Sequence, residues 1–200
     1  MREFPLEFRR RKKLLFYPEQ PERFTADFLE IGPGNGDFLI RLATRYPDKY
    51  IIALELDRPR FHKIEKKLSR RGITNVLLIY GDARVVIPQY LHSCRFERVY
   101  ILFPDPWPKR RHAPHRLMSL PFAQLLAGLL RPHGEIYLAT DVRPYAEWVA
   151  ENIVQVPTLE LRGFPYSNEN LIRDYEETFF ERVARREGAQ IYYLTARRRR

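Results

Sequence analysis

The sequence contains a single cysteine, Cys94, among its 200 residues. One thiol excludes an intrachain disulfide and a cysteine-based metal site. No apolar run approaches the length of a membrane span. Nothing resembles a secretory signal, because the basic start is followed only by the short apolar run at residues 14–17. We therefore expect a cytoplasmic protein.

Acidic residues are fewer than basic ones, and the formal net charge is +10 with a pI of about 9.9. A charge of this size favours an anionic partner, with nucleic acid ahead of a membrane surface. The alternative is an arginine-rich face that is merely solvated. Since 44% of the residues are hydrophobic, the chain can bury a core, which excludes general disorder.

Short apolar runs alternate with amphipathic segments five times, which predicts an α/β fold with a doubly wound, Rossmann-like, mostly parallel sheet covered on both faces. The strand-like C-terminal segments predict an antiparallel edge. We expect a long helix over 115–130, interrupted near Pro121, and a strand from Ile136. Residues 1–24 read as a basic arm with five consecutive cations at 9–13. Residues 25–200 read as one domain.

Every one of the five predicted parallel strands ends near an acid: Glu30, Glu55, Asp82, Asp105 and Asp141. Singly, each acid is better explained as a helix N-cap or a solvated loop residue. However, ligands of doubly wound sheets bind at the carboxyl ends of the strands. Five acids in corresponding positions therefore predict a shared acidic cleft on a basic protein.

The loop after the first strand has the pattern G-x-G-x-G, with glycines at 32, 34 and 36. It is neither the dinucleotide pattern G-x-G-x-x-G nor a phosphate loop, and Pro33 removes one backbone donor. An acid at the position of Glu55 can accept from ribose hydroxyls, and Asp82 suits an adenine amino group. Glu30 favours a positively charged ligand. S-adenosylmethionine fits these residues better than NAD.

Three prolines alternate with Asp105 and Trp107 directly after the fourth strand, and they stiffen the turn that carries the Asp105 carboxylate. No acid follows until Glu135, whereas this interval holds Lys109, Arg110, Arg111, Arg116 and Arg131. That asymmetry predicts contact with an RNA backbone. Trp107 either stacks on a base or packs the loop. The imidazoles of residues 112 and 115 have no acid nearby in sequence, so no metal is expected.

Several motifs together resemble the tRNA (guanine-N7-)-methyltransferases, a family of class I S-adenosylmethionine-dependent methyltransferases. They are residues 30–36 (EIGPGNG), Glu55, Asp82, residues 103–112 (FPDPWPKRRH), residues 140–141 and residues 178–181 (TFFE), and the resemblance runs from about residue 24 to 195. The resemblance implies methyl transfer from S-adenosylmethionine to N7 of guanine 46 in the variable loop of tRNA.

The strand-end acids, the charge pattern and the resemblance together suggest roles for individual residues, with those of residues 178–181 resting on the resemblance alone. We expect Glu30, Gly32, Gly34, Gly36, Glu55, Asp82 and Asp105 to bind the cofactor. Expected substrate contacts are Lys109, Asp141, Thr178, Phe179, Phe180 and Glu181, although spacing alone would leave Thr178 on an edge strand and Glu181 solvated. Expected RNA contacts are Arg110, Arg111, His112, His115 and Arg116. Asp105 is the predicted catalytic residue, holding guanine, the methionine amino group of the cofactor, or both.

Two other functions compete with this interpretation. An NAD-dependent oxidoreductase would need the longer glycine spacing and gives Asp105 no role. A non-catalytic RNA-binding module on the same fold would bind tRNA without transferring a methyl group. No obligate protein partner is evident, and the sequence leaves a monomer and a homodimer equally open.

Overall fold

The computed structural model describes residues 26–167 and 169–199, with the side chain of Arg110 outside the description. The predicted basic arm, residues 1–24, lies outside the described residues. Those that are described group into two compact units, which meet in sequence between Phe96 and Glu97. Within the described ranges, no helix is both long enough and apolar enough to cross a bilayer. That residues 25–200 form one domain stays a prediction.

The first unit alternates strands and helices, as the sequence predicts. Its elements are β1 (Phe28–Ile31), α1 (Asp37–Arg45), β2 (Ile51–Glu55), α2 (Arg58–Arg70), β3 (Val76–Tyr80) and α3 (Ala83–Tyr90). β2 pairs in parallel with β1 on one side and β3 on the other. Every residue of β1 and β2 is buried, and apart from Glu30 and Glu55 all of these residues are apolar, as is typical of parallel strands covered on both faces.

The second unit carries the antiparallel edge. Its elements are β4 (Phe96–Leu102, beginning at the unit boundary), a 3-10 helix (Arg110–His115), α4 (Leu120–Leu129), β5 (Leu130–Thr140), α5 (Arg143–Val154), β6 (Leu159–Gly163), α6 (Phe179–Arg186) and β7 (Tyr192–Arg198). The strand order is β4-β5-β7-β6, and β7 runs antiparallel to both β5 and β6. Parallel pairing of β2 with β1 and β3 in the first unit and antiparallel pairing of β7 in the second make this a mixed, mostly parallel α/β fold, which confirms the predicted fold class.

Three local predictions were wrong. The long helix expected over 115–130 is instead the 3-10 helix followed by α4, because Pro121 occupies a helix start rather than an interior position. α4 runs directly into β5, so this strand begins at Leu130 rather than Ile136. Thr178 does not lie on an edge strand but caps α6, where its hydroxyl oxygen accepts from the Glu181 N–H at 3.1 Å.

Candidate functional site

The glycine loop of the first unit joins β1 to α1 through left-handed backbone. The φ angles of Gly32, Gly34 and Gly36 are 71°, 60° and 78°. The Gly36 N–H donates to the Pro33 carbonyl oxygen at 2.8 Å, and a Cβ on Gly36 would lie 2.8 Å from Cγ1 of Ile64. The G-x-G-x-G spacing is therefore a requirement of both backbone conformation and packing.

Two side chains from outside the loop hold its backbone. The buried Glu55 carboxylate accepts from the Gly34 N–H at 3.1 Å and from the Asp57 N–H at 2.8 Å. Burial raises the pKa of Glu55, and these two hydrogen bonds oppose that rise. From α2, Lys67 donates to the Asn35 carbonyl oxygen at 2.7 Å. The predicted ribose contact of Glu55 remains compatible, since a carboxylate can accept about four hydrogen bonds.

Lys67 was missed by the sequence analysis, which assigned the basic face of α2 no role. Its ammonium group also lies 2.7 Å from Asp37 Oδ1. Partial burial raises the pKa of Asp37, but the hydrogen bond and charge of Lys67 outweigh it and lower this pKa. The start of α1 and the glycine loop are thus fixed to α2 by one cation.

Glu30 is the most unusual acid of the first unit. It is 2% exposed, and its Oε2 makes no hydrogen bond to any described residue. Burial and then the Glu55 charge raise the pKa of Glu30 to about 8, against the opposing charge of Arg41. Buried oxygens without a partner are rare in native proteins. Glu30 therefore fits a ligand with a cationic hydrogen-bond donor, as S-adenosylmethionine has in its ammonium group.

Asp82 follows β3 and forms hydrogen bonds with Arg84, two residues further along the chain. It caps α3, with Oδ1 accepting from the Arg84 N–H at 2.9 Å, and its Oδ2 lies 2.7 Å from Nη2 of Arg84. Part of the hydrogen-bonding capacity of Asp82 is therefore used within α3. Its predicted contact with adenine stays a prediction.

In the second unit, the proline-rich turn after β4 has an unfavourable backbone. Phe103 and Trp107 both have positive φ angles, 53° and 44°, which is uncommon for bulky residues. Such conformations cost roughly 1–3 kcal/mol each and cluster at functional sites. Asp105 lies between them with an exposed side chain. The turn thus places one carboxylate in solvent on a backbone that surrounding contacts must hold.

The predicted RNA contacts after this turn differ in exposure. Arg111 and His115 are exposed, as is the predicted substrate residue Lys109, whereas the side chain of Arg110 is outside the description. Trp107 is 36% exposed and its ring lies 5.5 Å from that of His112. Trp107 also lies 5.2 Å from the His115 ring. Arg116 is only half-buried and points back at the turn, donating to the Pro106 carbonyl oxygen at 3.1 Å.

The predicted substrate segment at residues 178–181 divides into a buried and an exposed part. Phe179 and Phe180 are exposed, with ring centroids 5.7 Å apart. Glu181 is 2% exposed. Asp141, after β5, is exposed, and Thr140 beside it is buried. The side chains available to a ligand in solvent are therefore those of Asp141, Phe179 and Phe180.

Glu181 is enclosed by partners that the sequence analysis missed. Its carboxylate accepts from the Tyr175 hydroxyl, from the Tyr193 hydroxyl at 2.5 Å and from Arg185 Nε at 2.9 Å. Burial, and then the hydrogen bond to this carboxylate, raise the pKa of both tyrosines. Glu181 thus fixes α6 to β7, which leaves its predicted substrate contact as an untested prediction.

A mostly parallel sheet with a glycine loop after β1, an acid at the end of β2 and an antiparallel β7 defines the class I methyltransferase fold. Among the described residues, no group of three or more His, Cys, Asp or Glu side chains is arranged to hold a metal ion. The 16S rRNA methyltransferase KamB has a similar fold: its structure gives a TM-score of 0.60, with 19% identity over 91% of this chain and 92% of that one.

Sequence comparison identifies the family within this class. The family model described as "Putative methyltransferase" matches residues 25–194. The tRNA (guanine-N(7)-)-methyltransferase of Thermotoga maritima is 36% identical over 85% of this chain and 53% of its own length. That of Alkalilimnicola ehrlichii is 34% identical over 86% of this chain and 72% of its length. The chain belongs to the tRNA (guanine-N7-)-methyltransferase family. It spans about half the length of several of these relatives.

Proposed function

We propose that this chain transfers a methyl group from S-adenosylmethionine to N7 of a guanine in tRNA, with guanine 46 of the variable loop as the acceptor. The observation that carries the proposal is the exposed Asp105 carboxylate on its strained turn, followed by exposed cations. The family membership of residues 25–194 supports the reaction class.

We assign the cofactor to the first unit. Glu30 has an unpaired buried oxygen that suits the cationic amino group, and the glycine loop allows close approach to backbone. Glu55 and Asp82 are the candidates for the ribose and the adenine amino group. When bound, S-adenosylmethionine supplies an electrophilic sulfonium methyl group. The residues that hold it position this methyl group, and positioning supplies much of the rate in such transfers.

We assign guanine recognition to the second unit. N7 of guanine carries a lone pair and no proton, so the reaction requires no general base. A carboxylate that accepts from N1–H and from the N2 amino group orients the base and stabilises the positive charge that develops on it. Asp105 has the exposure for this role. Lys109, Asp141, Phe179 and Phe180 are exposed candidates for further substrate contacts, and Arg111 and His115 for the RNA backbone.

The direct test is incubation of the purified protein with S-adenosylmethionine labelled in its methyl group and unmodified tRNA, followed by mapping of the modified base. We expect label in N7-methylguanosine at position 46, and none in a transcript with adenosine at that position. Retention of tRNA without incorporation of label would instead show an RNA-binding module. Binding of NADH but not of S-adenosylmethionine in calorimetry would show the oxidoreductase alternative.

A further inference from the structure

We propose that Arg116 is a positioning residue that holds the Asp105-bearing turn against helix α5, and that it does not serve as a ligand of RNA phosphates. The inference rests on the proposed function for the role of Asp105. It changes the assignment of Arg116, which the charge pattern alone places among the RNA contacts.

The Arg116 side chain forms hydrogen bonds and an aromatic contact within the second unit. Its Nε donates to the carbonyl oxygens of Pro106 and Trp107, at 3.1 and 3.3 Å. The guanidinium carbon lies 5.2 Å from the ring centroid of Trp148 on α5. A planar guanidinium can donate at its edge while its face stacks on an aromatic ring, which an ammonium group cannot do.

The segment after the turn has a second attachment to the same helix. The side-chain amide of Asn152 donates to the Met118 carbonyl oxygen at 3.2 Å. Tyr145, one turn before Trp148 on α5, is buried, with its ring 5.7 Å from the Trp148 ring. Residues 106–107 and 118 are thus both held on α5, and Arg116 makes the connection closest to Asp105.

The turn needs such a connection because its own donors are few. Proline has no N–H, and prolines occupy positions 104, 106 and 108. On the side of β4, the Phe103 N–H donates to the Ala139 carbonyl oxygen at 2.8 Å. On the other side of Asp105, the Pro106 and Trp107 carbonyl oxygens accept from Arg116. The left-handed backbone at Trp107 costs roughly 1–3 kcal/mol, so these contacts help to maintain it.

The first experiment compares Arg116→Lys and Arg116→Gln with Arg111→Gln, a matched change at an exposed arginine of the same segment. If Arg116 positions the turn, both Arg116 variants lower kcat at saturating tRNA by up to about 100-fold, and neither changes the salt dependence of tRNA binding. Arg111→Gln reduces the slope of log K against log salt by roughly 0.7–0.9. Rescue of kcat by Arg116→Lys, or a reduced slope in Arg116→Gln, would overturn the proposal in favour of a phosphate contact.

The second experiment does not depend on methyl transfer. The chain has two tryptophans, Trp107 and Trp148, so Trp148→Phe leaves Trp107 as the only indole and keeps an aromatic ring beneath Arg116. In this background, we expect Arg116→Gln to increase acrylamide quenching of Trp107, whereas Arg111→Gln leaves it unchanged. Equal quenching with and without Arg116 would refute the positioning role. A wild-type protein that transfers no methyl group would refute the proposed function and leave this readout valid.

Discussion

Replacement of Glu30 by Gln tests whether burial keeps the Glu30 carboxyl protonated near neutral pH in the ligand-free protein. The pKa of Glu30 rises from 4.5 to about 8, chiefly through burial and then through the charge of Glu55. The folded chain therefore holds this proton more tightly than the unfolded chain does. The stability contribution is complete below pH 4.5 and is lost as the pH rises through about 8.

The size of the effect follows from the shift. A rise from 4.5 to about 8 lowers the free energy of unfolding by on the order of 4 kcal/mol between about pH 5 and pH 9. This is a large fraction of the 5–15 kcal/mol that is typical of a folded domain. In Glu30→Gln the amide is neutral at every pH, so the contribution of this position becomes independent of pH.

The assay is urea unfolding of the ligand-free protein, followed by circular dichroism at several pH values. We expect the free energy of unfolding of the wild type to fall across this range and that of Glu30→Gln to fall less, by about the amount above. Glu151→Gln, an exposed change on α5, is the control and keeps the wild-type profile. Parallel profiles for the wild type and Glu30→Gln would refute the argument that burial keeps Glu30 protonated near neutrality.

Three further predictions concern the glycine loop and the second unit. Asp105→Asn is expected to lower kcat for methyl transfer by about 100-fold or more with near-normal calorimetric binding of S-adenosylmethionine; wild-type turnover would contradict its role. Gly36→Ala should destabilise the protein by about 1–3 kcal/mol in urea unfolding, because an L residue is strained at φ 78°; an unchanged midpoint would contradict this. Glu181→Ala should destabilise the protein in the same assay by about 1–3 kcal/mol for each of the two tyrosine hydroxyls that loses its acceptor; a loss of activity at unchanged stability would instead favour a direct substrate contact.

Much of the fold could be predicted because its signals are local. Buried parallel strands read as short apolar runs, and the amphipathic segments between them have helical spacing. Predictions failed where local signals conflicted. Pro121 was interpreted as an interruption of one helix, although proline is also common in the first turn of a helix. The helix at Phe179–Arg186 was missed because it has only eight residues, too few for its periodicity to stand out.

The sequence by itself determined the α/β alternation, the glycine loop, the acids at the strand ends and the family. Each of these depends on residue type and on spacing along a short stretch of chain. Only the tertiary structure decided which side chains already have hydrogen-bond partners within the protein. Lys67 binds the glycine loop, Glu181 binds two tyrosines, and Arg116 binds the proline-rich turn. Lys67 and Arg116 bind backbone carbonyl oxygens, which every residue carries and which leave no trace in the sequence. For that reason an arginine that holds the turn and an arginine that binds phosphate look alike until the chain is folded.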